Sequence, residues 1–189
     1  TTWRLNLSYL PNDDLTMFVS AATGFRPGIV QSRVQVEALA LVGVPAQVAL
    51  SPESSTNYEI GVKWRSPGRA LTVGLNLYQL EYTNLQTSVT GGIDSVNGFA
   101  NFGDATTKGV DIELHWNTPV KGLNLGFVGN FNDSKYDSIN PVIAAAQPLL
   151  KPGSRLTNTL ANNYRFDANY NRDIGSDLNV FGNVSLSHS

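Results

Sequence analysis

Asp111 and Glu113 stand two residues apart in Val110-Asp111-Ile112-Glu113-Leu114, so an extended chain puts both carboxylates on one side. Together with Glu59, which sits in a similar alternating stretch, they could act as an acid–base pair or as an oxygen-rich calcium site. A second set is cationic. Arg26 and Arg33 share one long connecting segment and could grip an anionic chelate through paired guanidinium hydrogen bonds. Plainer readings compete with both. Alternation requires polar residues wherever a strand faces a wet interior, which accounts for Glu59, Asp111 and Glu113 as lining, with Lys63, Arg65 and Lys108 offsetting their charge. Arginines at a rim also meet solvent or lipid headgroups. His115 and His188 lack partners at metal-ligand spacing. The sequence offers no Ser-His-Asp arrangement and no phosphate-cradling glycine loop, so it predicts no catalytic, cofactor or metal residues and a protein that is not an enzyme.

The elements that must position these groups are strands. Residues 57–65 place Tyr58, Ile60, Val62 and Trp64 on one face and Glu59, Gly61, Lys63 and Arg65 on the other, and residues 110–116 repeat the pattern with Val110, Ile112, Leu114 and Trp116. The same reading predicts about eight long strands, over 2–10, 15–22, 56–65, 71–82, 108–116, 123–132, 163–171 and 178–187. Short turns rich in Pro, Gly, Asn and Asp alternate with long connections at 23–55, 83–107 and 133–162. All tight turns therefore lie at one end of the sheet and all long loops at the other. The last residue of the apolar face before each short turn is aromatic: Tyr9, Trp64, Trp116 and Tyr170, recurring at intervals of roughly fifty residues. Such a belt is what amphipathic rings form at a lipid headgroup level.

Composition agrees with a membrane wall of strands. Hydrophobic residues make up 41% of the 189, yet charged ones only 15%, against roughly 25% in soluble domains. The net charge of −2 provides no field for nucleic acid. No cysteine is present, which removes disulfides and thiolate chemistry together. No apolar run reaches the roughly 18 residues of a membrane-spanning helix, but strands of about 9 to 11 residues can cross by alternation alone.

The order of short motifs resembles the β-barrel region of TonB-dependent outer-membrane receptors. The matching residues are Gly24-Phe25-Arg26-Pro27, Leu50-Ser51-Pro52-Glu53 leading into Asn57-Tyr58-Glu59-Ile60-Gly61-Val62-Lys63, then Asn101-Phe102-Gly103 with Thr107-Lys108-Gly109-Val110-Asp111-Ile112-Glu113-Leu114. The resemblance departs at 158–160, where Leu160 stands in place of the usual Pro, and at the terminus Ser187-His188-Ser189, which lacks an assembly aromatic. It implies an all-β fold: an antiparallel up-and-down meander forming part of a large transmembrane barrel, a single domain over 1–189 from the barrel's later half, without a plug domain. It further implies a bacterial outer-membrane receptor that takes up a scarce nutrient such as a siderophore, cobalamin or an oligosaccharide. The implied partners are membrane lipid, the remainder of the barrel and its plug, the nutrient, and the TonB complex acting through the plug. Phe25, Arg26, Arg33, Phe99, Phe102 and Arg155, in the long loops, are the expected ligand contacts. Glu59, Lys63, Asp111 and Glu113 are the expected lumenal residues. The alternative is a soluble or surface-attached β-sandwich adhesin, which would bury the same aromatic belt.

Overall fold

The computed structural model describes residues 1–41, 43–44, 47–91, 96–157 and 159–189, the side chains of 90, 91, 96 and 97 excepted. The long connections at 23–55 and 83–107 and the motif departure at 158–160 thus fall partly outside the described residues. The elements are β1 (Arg4–Asn12), β2 (Leu15–Arg26), α1 (Arg33–Leu41), β3 (Glu53–Arg65), β4 (Leu71–Thr83), β5 (Gln86–Gly91), β6 (Val96–Asn101), β7 (Ala105–Asn117), β8 (Leu123–Tyr136), α2 (Pro141–Ala146), β9 (Asn162–Ile174) and β10 (Leu178–His188). Eight of the strands form one antiparallel sheet in the order β1-β2-β3-β4-β7-β8-β9-β10, while β5 and β6 pair as a separate hairpin. The sheet is a meander with unpaired edges at β1 and β10, a wall rather than a closed barrel. The sandwich alternative fails here, because it needs a second sheet packed against the apolar face.

Register keeps that face continuous. Leu7 pairs with Val19, Val19 with Ile60, Ile60 with Leu77 and Leu77 with Val110; Val110 pairs with Phe131. A slip of one residue anywhere would put carboxylates among these side chains, so the apolar pattern itself fixes the pairing. The face lies open: Ile60 is 55% exposed and Leu77 51%. A soluble domain of this size would bury such residues.

The strands run further toward the long loops than the apolar alternation does. On β4, β7 and β8 the apolar face gives way to Gln79, Glu81, Thr106, Lys108, Asp133 and Lys135, which still pair across the ladder. Hydrogen bonding continues where hydrophobicity stops, which is why alternation alone ends β7 and β8 early, while β4 ends within one residue of its expected bound. The same register corrects the placement of Lys108. It shares the outer face with Gln79 and Asp133 and does not offset the inner carboxylates.

The long connections are built rather than irregular. Ser32 caps α1 with Gln35 in a reciprocal box: the Ser32 N–H donates to Gln35 Oε1 at 2.9 Å, and the Gln35 N–H donates to Ser32 Oγ at 3.4 Å. Asn140 caps α2 by accepting from the Val142 N–H at 3.0 Å, with Pro141 in the first turn. Leu39, Val44, Ala100, Phe102, Ile143 and Leu156 then form the buried cluster together with Ala105 and Tyr136, and Tyr82 packs against it. Ala105, Tyr136 and Tyr82 continue the inner face of β7, β8 and β4, so the loops fold inward over that side of the wall.

On the inner face, aromatic rings cover glycines on the next strand. The Phe18 ring lies over Gly61 and the Tyr78 ring over Gly109, where an added Cβ would come within 2.5 Å of the Tyr78 ring and its hydroxyl. Glycine is needed at 109 for that close approach. Gly109→Val is expected to lower stability by about 1–3 kcal/mol, and pairing it with Tyr78→Ala should recover part of the loss. Urea unfolding of the folded barrel in lipid vesicles, with a double-mutant cycle, measures both.

Candidate functional site

The inner face carries the polar chemistry. Asp111 Oδ1 accepts from Asn130 Nδ2 at 2.6 Å and Asp111 Oδ2 from Asn76 Nδ2 at 3.3 Å; Asn130 Nδ2 also reaches the Tyr78 hydroxyl at 2.8 Å. Above this group Asn132 donates to Asn130 Oδ1 at 2.8 Å, the Ser134 hydroxyl to Asn132 Oδ1 at 3.0 Å, and the Thr107 hydroxyl to Ser134 at 2.9 Å. The result is a ladder of amides and hydroxyls running from the middle of the wall to the buried loop cluster.

Glu59 lies two strands away and accepts from Asn57 Nδ2 at 2.6 Å and the Ser20 hydroxyl at 3.4 Å. Tyr78 pairs with Glu59 on one side and Gly109 on the other, so its ring stands between Glu59 and the Asp111 group. Glu113 meets His115 Nε2 at 3.1 Å, both side chains being at least half exposed. The three carboxylates therefore share a face but engage separate partners. Among the described residues no three His, Cys, Asp or Glu side chains are grouped to hold a metal. An open recess of about 460 Å³ lies beside Asp111 and Glu113, lined also by Phe18, Lys63, Leu75, Asn76, Val128 and Asn130. It combines the polar Asp111–Asn130 group with a largely apolar lining, and no side chain in it activates a nucleophile.

Nearer the short turns the inner face is rich in asparagine. Asn183 donates to Asn169 at 2.9 Å, and Asn179 to Asn171 at 2.9 Å and Asp173 at 2.7 Å. Arg165 and Asp167 pair at 2.7 Å on the same face. Across the wall, Trp64 pairs with Leu15 and Val73, and Trp116 with Leu71 and Leu125, each ring 40% exposed on the outer face. Tyr9 and Tyr170 occupy the equivalent positions on β1 and β9. Six residues along the same strands lie Trp3, Tyr58 and Tyr164, a second aromatic row about 20 Å away at the usual rise of a strand. Only the row beside the short turns is evident from the turn spacing; the second becomes visible once the strands are in register.

The loop positions separate. Phe25 lies on the outer face at the end of β2, 60% exposed. Phe102 is 5% exposed within the loop cluster and stacks on Tyr136 at 6.3 Å between ring centroids. Arg26 donates through Nη1 to the Gln86 carbonyl at 3.2 Å and sits over the Phe99 ring, 5.2 Å from its centroid. Arg33, at the start of α1, and Arg155 are exposed. The six do not converge on one cavity. What the sequence reading missed is a set of buried loop amides, Gln31, Gln86 and Asn101, each 5–6% exposed.

Comparison with known proteins places this architecture. Residues 1–188 match the family described as TonB dependent receptor-like, beta-barrel. Among solved structures, the chain is similar to the ferric yersiniabactin uptake receptor FyuA from Yersinia pestis, at a TM-score of 0.67 and 18% identity, covering 97% of this chain and 25% of that one. It is also similar to the alcaligin outer-membrane receptor FauA from Bordetella pertussis (TM-score 0.59, 21% identity, 98% and 29% covered). A third similar structure is the ferric-catecholate import receptor Fiu from E. coli K12 (TM-score 0.61, 13% identity, 93% and 22% covered). By sequence alone no curated protein matches. The chain spans between a fifth and a third of the length of these structures. With an antiparallel wall, an exposed apolar face and a family match over nearly every residue, the chain belongs to the TonB-dependent receptor β-barrel family.

Proposed function

We propose that this chain is part of the wall of a bacterial outer-membrane receptor that takes up a ferric siderophore. The observation that carries the reading is the open apolar face of a wall matched over 1–188 to a receptor family. Its backbone groups are paired sideways, as a strand in hydrocarbon requires, and its open edges at β1 and β10 are where the rest of the barrel continues the ladder. The belt of Tyr9, Trp64, Trp116 and Tyr170 marks the headgroup level beside the short, periplasmic turns. The lumenal face, with Glu59, Lys63, Asp111 and Glu113, meets a plug whose energy comes from the TonB complex. The protein transports and does not catalyse. A ferric chelate is preferred over cobalamin or an oligosaccharide because the structurally similar receptors are described by ferric yersiniabactin, alcaligin and ferric catecholate.

For the ligand, the exposed cations Arg33 and Arg155 are the contacts we favour. Arg26 and Phe99 are occupied with each other, Phe102 is buried, and Phe25 points outward, so these four shape the mouth.

Two outcomes test this reading. Ile112→Arg, at the middle of the apolar face, is expected to lower folding stability in lipid vesicles by about 2–4 kcal/mol, whereas Glu113→Gln beside it on the other face should change it by less than about 1 kcal/mol. In binding titrations of the whole receptor with a panel of ferric siderophores, Arg33→Ala and Arg155→Ala should each weaken the best ligand about tenfold, and Phe25→Ala should leave it unchanged. A receptor that binds none of the panel and imports no iron refutes the siderophore assignment.

A further inference from the structure

Three buried amide side chains tie the loop after β2 to the β5–β6 hairpin. Gln86 donates from Nε2 to the carbonyls of Pro27 and Ser51, both at 3.1 Å, and its backbone N–H donates to Glu53 Oε2 at 2.6 Å. Gln86 thus holds both ends of the first long loop from one position in the second. Asn101, its partner across the hairpin, accepts from the Ser51 N–H at 2.8 Å and donates to the carbonyls of Ser51 (3.1 Å) and Asn84 (2.8 Å). From the other side, Gln31 donates to the carbonyls of Gln47 (2.7 Å) and Phe99 (2.8 Å) and accepts from the Phe99 N–H at 2.7 Å. The Asn101 N–H completes the set by donating to Gln47 Oε1 at 2.8 Å.

These bonds have a particular property. The Gln31 and Asn101 amides each serve as both donor and acceptor for main chain, the Gln86 amide donates to two carbonyls while its Oε1 has no partner among the described residues, and each of the three is at least 94% buried. A small shift between the two loops would leave several buried polar groups without partners at once, and no apolar repacking compensates for that. The apolar contact between Leu39 of α1 and Gly98 of β6 is tight enough that a Cβ at 98 would meet the Leu39 side chain at 2.6 Å. Arg26 over Phe99 adds a third kind of tie.

We propose that the amides Gln31, Gln86 and Asn101 lock the first long loop and the β5–β6 hairpin into one rigid body at the receptor mouth, so that loosening either loop loosens both. The inference goes beyond the transport reading and holds whatever the cargo is. It assigns the mouth a coupled element in place of two independently moving loops, and coupling of this kind is reciprocal.

Hydrogen exchange of the complete receptor in detergent, read by mass spectrometry on peptides from 27–36, 47–55, 84–91 and 97–103, tests it. Gln86→Ala should speed exchange about tenfold or more in the loop peptides as well as the hairpin peptides, and Gln31→Ala should do the same in both directions, while β7 and β8 keep wild-type protection. Exchange that rises only in the substituted loop, or in neither, overturns the proposal. A measurement that leaves all three amides in place stands beside it: spin labels at Arg33→Cys and Ser88→Cys should give one narrow distance, and a broad or multiple distribution overturns the proposal even if the alanine variants do not fold.

Discussion

A polar backbone inside a membrane has to find its hydrogen bonds within the protein, and a meander of long antiparallel strands does this sideways, strand to strand. Everything else in this wall depends on that ladder. Because side chains alternate along each strand, the ladder separates an apolar outer face from a polar inner one without any packed core between them. The buried hydrophobic cluster therefore sits elsewhere, at the long-loop end, where Leu39, Phe102 and Ile143 gather on Tyr82 and Tyr136 of the inner face. The outer apolar side chains are held by pairing rather than burial, and register is their main source of order.

The eight wall strands were legible because a two-residue period survives any tertiary context that keeps one face apolar. Trp64 and Trp116 before their turns stand on the outer face as the alternation requires, and the motifs around Glu59 and Asp111 pointed to the family. The upper ends of β7 and β8 were not legible, since Lys108 and Asp133 on the outer face break the pattern while pairing persists. The helices in the long loops carry local signals, the Ser32–Gln35 box and the Asn140-Pro141 start, that a two-residue period does not register. The loop contacts were beyond sequence reading altogether. Nothing in the spacing of Gln31, Gln86 and Asn101 tells that they meet, and the burial of Phe102 follows from three segments converging.

The inner face has a different organisation at its two ends. Toward the short turns, Asn169, Asn171, Asn179 and Asn183 bond one another, and Asn179 also donates to Asp173, so amides dominate a wet surface. In the middle, Tyr78 and Phe18 lie over glycines and bring strands together around Asp111 and Asn130. Toward the loops, hydroxyls and amides lead into the buried cluster. The wall thus passes from an open polar surface to a packed mouth along a single sheet, and the loop amides fix where that mouth begins.

The central claim is that one face of this sheet contacts lipid and the other does not. Nitroxide labels placed singly at each position from 57 to 65 of the receptor in lipid bilayers, with collision rates measured to oxygen and to a water-soluble nickel chelate, test it directly. The account predicts oxygen maxima at 58, 60, 62 and 64 and suppressed oxygen access at 57, 59, 61, 63 and 65, with the pattern fading past Trp64. Uniform access to the nickel chelate, or a period other than two, would contradict it.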